Sequence, residues 1–202
     1  MHKLEDVNVE VFELFVQWLY SGKIDILDMP DIEVYLIYAW ALGDRLLSDG
    51  FKNTVINALY DEWKQWRPYW PEDMSAAILS YEMSPEGSQL RKLVIDKFSR
   101  HTRGEMIDAT EQEMPHDLLK DLAPALANFL GMLHREGVNA RTDIYDERDD
   151  LAFDVCSRYH IHKAGEGVCN EKAIDSSFEV FKEDDKYAPA KPFERLRVVG
   201  SW

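Results

Sequence analysis

The stretch VFELFVQWLYSGKI, residues 11–24, decides the fold class of this protein. Only two of its first ten residues are polar, Glu13 and Gln17. At helical spacing the remainder form two neighbouring apolar stripes: Phe12, Phe15, Val16 and Leu19 on one, and Val11, Leu14 and Trp18 on the other. A helix that is apolar around most of its circumference is normally buried by neighbours on several sides. We therefore expect later segments, or another molecule, to cover it.

The composition is that of a globular protein with an acidic charge balance. The chain has 202 residues, of which 46% are hydrophobic, so it is long enough to bury a sizeable core. Its formal net charge is -15. Affinity for nucleic acid comes mainly from clustered Lys and Arg side chains that neutralise phosphates. The charge therefore argues against a nucleic-acid partner and identifies no other one.

Neither a membrane span nor a secretory leader is indicated. The longest uninterrupted apolar run, residues 34–42, is far shorter than the roughly 20 residues that a transmembrane helix needs. Residues 1–20 contain acids where a signal peptide has a basic start and an apolar centre. Two cysteines do not make a disulfide framework. We expect a soluble intracellular protein, nuclear or cytoplasmic.

Helical patterning continues after this first helix. Gly22 suits a helix C-terminus, and residues 23–27, KIDIL, are the only candidate for a short strand. Asp31 suits the N-cap of a second helix, whose apolar run 34–42 predicts an interior position. A third helix is expected from about Ser48, with Lys52 away from its apolar stripe.

Prolines mark expected helix boundaries in the middle of the chain. Pro68 and Pro71 mark a joint between two parts, and Pro71 suits the first position of a fourth helix. Ser88 can cap a fifth helix. A sixth is expected over residues 117–133, kinked or broken at Pro124, because proline lacks the N–H that an interior turn needs.

The acidic last third of the chain lacks this patterning. The stretches DIYDERDD, residues 143–150, and KEDDKYAPAKPFE, residues 182–194, predict loosely ordered structure. The expected fold class is mainly α, with at most a short strand and a loosely ordered acidic tail. The expected division is residues 1–66, 67–135 and 136–202.

Several phrases, in their order along the chain, resemble one protein family. They are EDVNVEVFELFVQWLYSGKI (5–24), YLIYAWALGDRLLSDGFKNTVINAL (35–59) and SPEGSQLRKLVIDKF (84–98). The chain resembles the BTB/POZ domain proteins, in particular fungal proteins in which a helical extension follows the BTB domain. On this resemblance, residues 1–66 correspond to the C-terminal half of a BTB/POZ domain and residues 67–135 to the extension.

The resemblance implies a non-catalytic protein–protein interaction module with no small-molecule substrate. Its partner would be a second copy of the chain or another protein. In the family, a first half of the domain precedes the equivalent of Glu5 and packs on the helix at 11–20, whereas no such half is found in this sequence. We therefore expect a chain that is truncated at its N-terminus.

Some BTB proteins are substrate adaptors of cullin-type ubiquitin ligases, and the same helix contributes to that contact. By resemblance, the candidate partner-binding residues are Phe15, Leu19, Tyr20 and Lys23. The adaptor function is an alternative, although no substrate-recruiting module is recognisable in the extension or the tail. The other interpretation of these positions is core packing, which is usual for aromatic side chains at helical spacing. We assign Phe12, Trp18 and Trp40 to packing.

Catalytic motifs are not found. The sequence contains no GxxxxGK[ST] loop, GxGxxG turn, GxSxG elbow or HExxH helix. Cys156 and His160 stand four residues apart, but no third group is indicated that would orient them as a nucleophile and base. We predict that the protein is not an enzyme.

One stretch combines metal-ligand side chains, CSRYHIHKAGEGVC at residues 156–169. Two thiolates and two imidazoles suit tetrahedral zinc, so the candidate ligands are Cys156, His160, His162 and Cys169. The spacing C-x3-H-x-H-x6-C matches no standard zinc finger. The alternative is two reduced cysteines and two exposed histidines. A small zinc-binding protein, with this tail as its active feature, is therefore a competing function.

Overall fold

The regular secondary structure of the described residues is entirely α-helical, which confirms the mainly α prediction. The computed structural model describes residues 7–26, 31–65, 73–102, 104–136 and 155–162, except for the side chains of residues 64, 65, 133 and 136. Residues 23–26 form no strand. The helices are Val9–Ser21 (α1), Ile32–Arg45 (α2), Asp49–Gln65 (α3), Ser75–Met83 (α4), Gln89–His101 (α5), Gly104–Ala109 (α6), His116–Glu136 (α7) and Val155–Tyr159 (α8).

All described residues belong to one compact unit, Met1–Val168. Helix α2 packs on α1, α3 and α4, while α5 packs on α4, α7 and α8. The predicted boundary at residue 66 thus separates two stretches of sequence whose helices share one core. The three-part division itself stays a prediction, and most of its third part, residues 137–154 and 163–202, lies outside the described part of the chain, including both stretches predicted to be loosely ordered.

Local capping sets both ends of α1. The Asn8 side chain accepts a hydrogen bond from the Glu10 backbone N–H at 2.7 Å. At the other end Gly22 has φ 70°, in the left-handed region where glycine carries no Cβ penalty, and its N–H donates to the Trp18 carbonyl at 2.8 Å. The predicted C-terminus of this helix is therefore confirmed.

Helix α2 is amphipathic and not buried all round, contrary to expectation. Leu36, Ile37 and Trp40 are buried, but Val34 and Tyr38 on the other side are partly exposed. Asp31 occupies the N-cap position with φ 49° and makes no side-chain capping bond. It is thus the cap by position, without the capping bond that the sequence predicted.

Close contact between α2 and α3 depends on Gly43. A Cβ at this position would lie 2.9 Å from Lys52 Cγ and 3.0 Å from Phe51 Cδ1. Lys52, which was predicted to lie away from the apolar stripe, is buried. Its Nζ lies 3.0 Å from Asp44 Oδ1 and 3.2 Å from Asp49 Oδ1. These two carboxylates compensate the burial of the ammonium group.

The start of α4 and the course of α7 differ from expectation. Asp73 Oδ1 accepts a hydrogen bond from the Ser75 N–H at 2.8 Å, and α4 begins at Ser75. Pro71 is therefore not its first residue, and Pro71 itself lies outside the described residues. Helix α7 continues through Pro124. A break at Pro124 is therefore excluded, whereas the alternative of a kink stays a prediction, and α6 was not predicted.

The helix after Ser88 agrees with the sequence in both cap and stripe. The Arg91 N–H donates to Ser88 Oγ at 3.2 Å. The predicted apolar stripe of α5 is fully buried, at Leu90, Leu93, Val94 and Phe98. Within the described ranges, none of the helices has the length and apolarity to cross a membrane.

Candidate functional site

Four apolar side chains of α1 face solvent on one side of the helix, and we call them the α1 outer face. They are Val9, Phe12, Leu19 and Tyr20, with 70%, 38%, 58% and 89% of their surfaces exposed. Only Val11 and Leu14 of this helix are fully buried. The expectation that the helix is covered on all sides is therefore not met by the described part of the chain.

The opposite side of α1 is anchored by aromatic contacts. The Phe15 ring meets the buried Phe51 ring edge to face, with centroids 5.1 Å apart. The Trp18 ring lies 5.4 Å from the same ring, and its Nε1–H donates to Thr54 Oγ1 at 3.0 Å. These contacts hold α1 against α3. They therefore fix the direction in which the outer face points relative to α3.

The candidate partner-binding residues differ in their exposure to solvent. Phe15 is half-buried against Phe51, whereas Leu19 and Tyr20 point outward on α1. Lys23 is exposed on the segment after the helix, where its N–H donates to Ser21 Oγ at 3.0 Å. Three of the four predicted residues are thus accessible to a partner.

The three aromatic residues assigned to packing also differ in their burial. Trp40 is 1% exposed, as expected of a core residue. Trp18 is half-buried with its indole hydrogen-bonded, while Phe12 was assigned wrongly, because it belongs to the outer face. The apolar stripe was recognisable from the sequence, but which side of it is covered depends on where α2 and α3 lie.

A second feature is a cluster of metal-ligand side chains at the end of α8. Cys156 and His160 are one helical turn apart, and the His160 N–H donates to the Cys156 carbonyl at 3.2 Å. His162 lies beyond the helix end, and its Nε2 is 3.1 Å from Cys156 Sγ. One ligand atom from each of the three lies within 4.8 Å of the other two. The fourth predicted ligand, Cys169, lies outside the described residues.

This Cys–His cluster is largely removed from solvent. Cys156 is 7% exposed and His160 is 9% exposed, while His162 is half-buried. The alternative interpretation, which expected exposed histidines, therefore does not describe His160. The prediction of a loosely ordered tail is also wrong for residues 155–162, which are helical in part and packed on α3 and α5.

Polar contacts with α3 hold the cluster in place. The Asn53 side chain donates to the Ile161 carbonyl at 3.0 Å and accepts from the Ile161 N–H at 2.8 Å. One turn later, Asn57 Oδ1 lies 2.8 Å from His160 Nε2. Sequence reasoning missed both asparagines, because nothing local to α3 indicates a partner more than a hundred residues away.

Asp96 on α5 makes the third attachment. Its Oδ2 accepts hydrogen bonds from Arg158 Nε–H and from the Tyr159 hydroxyl, each at 2.7 Å. Burial, together with the neighbouring Asp96 carboxylate, raises the pKa of Tyr159 well above its usual range. The hydroxyl therefore remains a donor at physiological pH. Asp96 is the residue that connects α8 to α5.

Replacing Asp96 with Ala should release residues 155–162 from the helical body. We expect a loss of about 1 to 2 kcal/mol of stability, since two hydrogen bonds are removed at a partly exposed site. Limited proteolysis followed by mass spectrometry should show faster cleavage in this segment. The control is Asp117→Ala, whose carboxylate is more exposed and 3.7 Å from Arg91 Nη1. Equal cleavage in both variants would contradict the assignment.

A cleft of about 320 Å³ lies beside this attachment. Its lining includes Tyr81, Arg91, Asp121 and Arg158. The two arginines are engaged by the protein itself: Arg91 donates to the Tyr81 carbonyl at 2.8 Å, and Arg158 pairs with Asp96. This mixed charge offers no concentrated field for an anionic or a cationic ligand.

Comparisons of the chain with models of protein families, with curated proteins and with solved structures find no match.

Proposed function

We propose that this protein is a non-catalytic protein–protein interaction module of the BTB/POZ type, and that it binds its partner through the α1 outer face. The observation that carries the proposal is the exposure of Leu19 and Tyr20 on the same helix whose other side is anchored in the core. The partner is a protein, either a second copy of this chain or another one.

Energetic reasoning supports this use of the surface. Each large apolar side chain that moves from water into a protein interface contributes about 1.5 to 3 kcal/mol. The outer face carries an aromatic ring near each end, Phe12 and Tyr20, and aromatic side chains are frequent among the residues that dominate binding energy. Contiguous exposed apolar surface commonly marks an interaction site.

The fixed geometry of the face also favours binding. Phe15 and Trp18 hold α1 on the buried Phe51, so the outer face is already arranged before a partner arrives. A preorganised surface loses less conformational entropy on association than a mobile one. Glu10 and Glu13 are exposed on the same helix. A partner with an apolar groove and basic side chains at its rim would therefore be complementary.

Replacing Leu19 with Glu tests the face directly. We expect the wild-type chain to self-associate in a concentration-dependent way, and Leu19→Glu to weaken that association by at least about 10-fold, because a charge at an apolar contact must be desolvated. Size-exclusion chromatography with light scattering measures the change. The matched control is Leu130→Glu on α7, since Leu130 is 61% exposed and Leu19 58%.

Two results would contradict the proposal. One is a wild-type chain that stays monomeric at all concentrations and binds no hydrophobic dye. The other is an equal effect of the Leu130 and Leu19 substitutions, which would mean that added negative charge alone disperses the oligomer. The adaptor alternative has less support, because one of its four candidate residues, Phe15, is half-buried against Phe51.

A further inference from the structure

We propose that Cys156, His160 and His162 form a structural Zn²⁺ site that orders residues 155–162 where they pack on the helical body. The site consists of one residue of α8 and two residues that follow the helix, and it does not depend on the proposed use of the α1 outer face. One thiolate and two imidazoles are ligands that zinc prefers, and they leave one position for a fourth ligand.

The distances between ligand atoms fit a tetrahedral ion. Zinc bonds of about 2.0 to 2.3 Å place neighbouring ligand atoms about 3.3 to 3.6 Å apart. Cys156 Sγ and His162 Nε2 are 3.1 Å apart, and all three ligand atoms lie within 4.8 Å of one another. Small rotations of side chains that already converge would complete the geometry.

The helix and the turn after it create the convergence. Residues four apart on an α-helix lie on the same face, which brings Cys156 and His160 together. The chain then leaves the helix, and the Asn53 hydrogen bonds to Ile161 hold the next residue in place. His162 is thereby directed back to Cys156.

Asn57 makes the hydrogen bond that a metal-binding histidine usually makes through its second ring nitrogen. A ligating imidazole commonly donates its other ring N–H to an oxygen, which sets its tautomer and orientation. Asn57 Oδ1 lies 2.8 Å from His160 Nε2, and an oxygen acceptor requires Nε2 to carry the proton. The lone pair of the ring is then on Nδ1. Asn57 acts as a positioning residue.

All three ligands belong to a segment of seven residues. The ion would therefore restrict this segment rather than join distant helices. Its effect reaches α3 and α5 through the contacts of Asn57, Asn53 and Asp96.

Zinc and cobalt binding by the full chain test the proposal. After dialysis against metal-free buffer, the wild-type protein should retain about one equivalent of zinc. After the zinc has been removed with a chelator, added Co²⁺ should give a thiolate-to-cobalt charge-transfer band in the near ultraviolet, which zinc abolishes. Cys156→Ser should remove the band. His162→Ala should weaken metal binding by more than about 100-fold, since outer-sphere substitutions alone cost 10- to 100-fold.

His134→Ala is the matched control, because His134 is an exposed histidine of α7 and should not affect binding. Far-UV circular dichroism checks that each variant is folded. If the Cys156→Ser variant is unfolded, metal binding by the His162→Ala variant provides the test, because His162 is only half-buried. A wild-type chain with neither retained zinc nor a charge-transfer band overturns the proposal, as does equal weakening by His134→Ala and His162→Ala.

The positioning role of Asn57 is tested by a separate measurement of metal affinity and of the visible cobalt bands. Asn57→Ala should lower metal affinity by about 10- to 100-fold and shift the visible bands of bound cobalt, because the His160 ring loses its orientation. Asn57→Asp retains an oxygen acceptor and should restore both. Unchanged cobalt bands in Asn57→Ala would exclude the positioning role.

Discussion

Replacing Phe51 with Ala should lower the free energy of unfolding by about 3 to 5 kcal/mol. Phe51 is completely buried at the start of α3. Its ring contacts those of Phe15 and Trp18, and its Cδ1 approaches the position where Gly43 has no Cβ. The substitution therefore removes apolar burial and leaves a cavity where α1, α2 and α3 meet.

Urea denaturation followed by tryptophan fluorescence measures this loss, and Phe12→Ala is the matched control. Phe12 is on the same helix as Phe15 but belongs to the outer face. We expect Phe12→Ala to cost less than about 1 kcal/mol of stability, as is usual for exposed positions, while weakening self-association. If Phe51→Ala were within about 1 kcal/mol of wild type, the anchoring of α1 on α3 would be incorrect.

Replacing Glu33 with Gln should stabilise the protein by about 2 to 3 kcal/mol above pH 7. Glu33 lies in the first turn of α2, close to Glu62 of α3 and to Asp73 before α4. Burial raises its pKa from 4.5 to about 7, with further contributions from the charges of Glu62 and Asp73, while the Trp63 side chain acts in the opposite direction. The folded state therefore disfavours the ionised form of this carboxyl group.

The direction of the pH dependence follows from that raised pKa. Below pH 4.5, Glu33 is protonated in both the folded and the unfolded state, so it causes no penalty. Between pH 4.5 and 7 the unfolded chain ionises first, and stability falls as the pH rises. Above pH 7 the penalty is complete. Glutamine resembles the protonated carboxyl group and removes the penalty without adding a charge.

Urea unfolding at several pH values between 4.5 and 8 checks this result. The stability difference between Glu33→Gln and wild type should be small at pH 4.5 and should increase up to about pH 7. Glu86→Gln at an exposed position is the control for the loss of one negative charge. A difference that is constant with pH, or that is equal in both variants, would show that burial of Glu33 is not the cause.

Signals that act within a few residues were predictable from the sequence. Gly22 and Ser88 end and begin helices as expected, because capping depends on one residue and the adjacent turn. The apolar stripe of α5 was also predicted, since periodicity identifies one face of a helix. These features needed no knowledge of the rest of the chain.

Features that depend on distant partners were not predictable. The sequence indicates a kink or a break at Pro124, and the break does not occur: α7 is continuous and packs on α4 and α5 on the side of Leu118 and Leu122. Tertiary packing can offset the lost hydrogen bond of one proline. Lys52 was predicted to lie away from the apolar stripe of α3, yet it is buried, and Asp44 and Asp49 compensate its charge.

The sequence by itself determined that α1 is a strongly apolar helix and that residues 156–162 carry metal-ligand side chains. Only the tertiary structure decided which side of α1 is open, because Phe51 and Thr54 on α3 select the side that is covered. It also decided that Cys156 and His162 meet. Asn57 and Asp96, on two other helices, hold that segment, and no pattern local to residues 156–162 encodes these contacts.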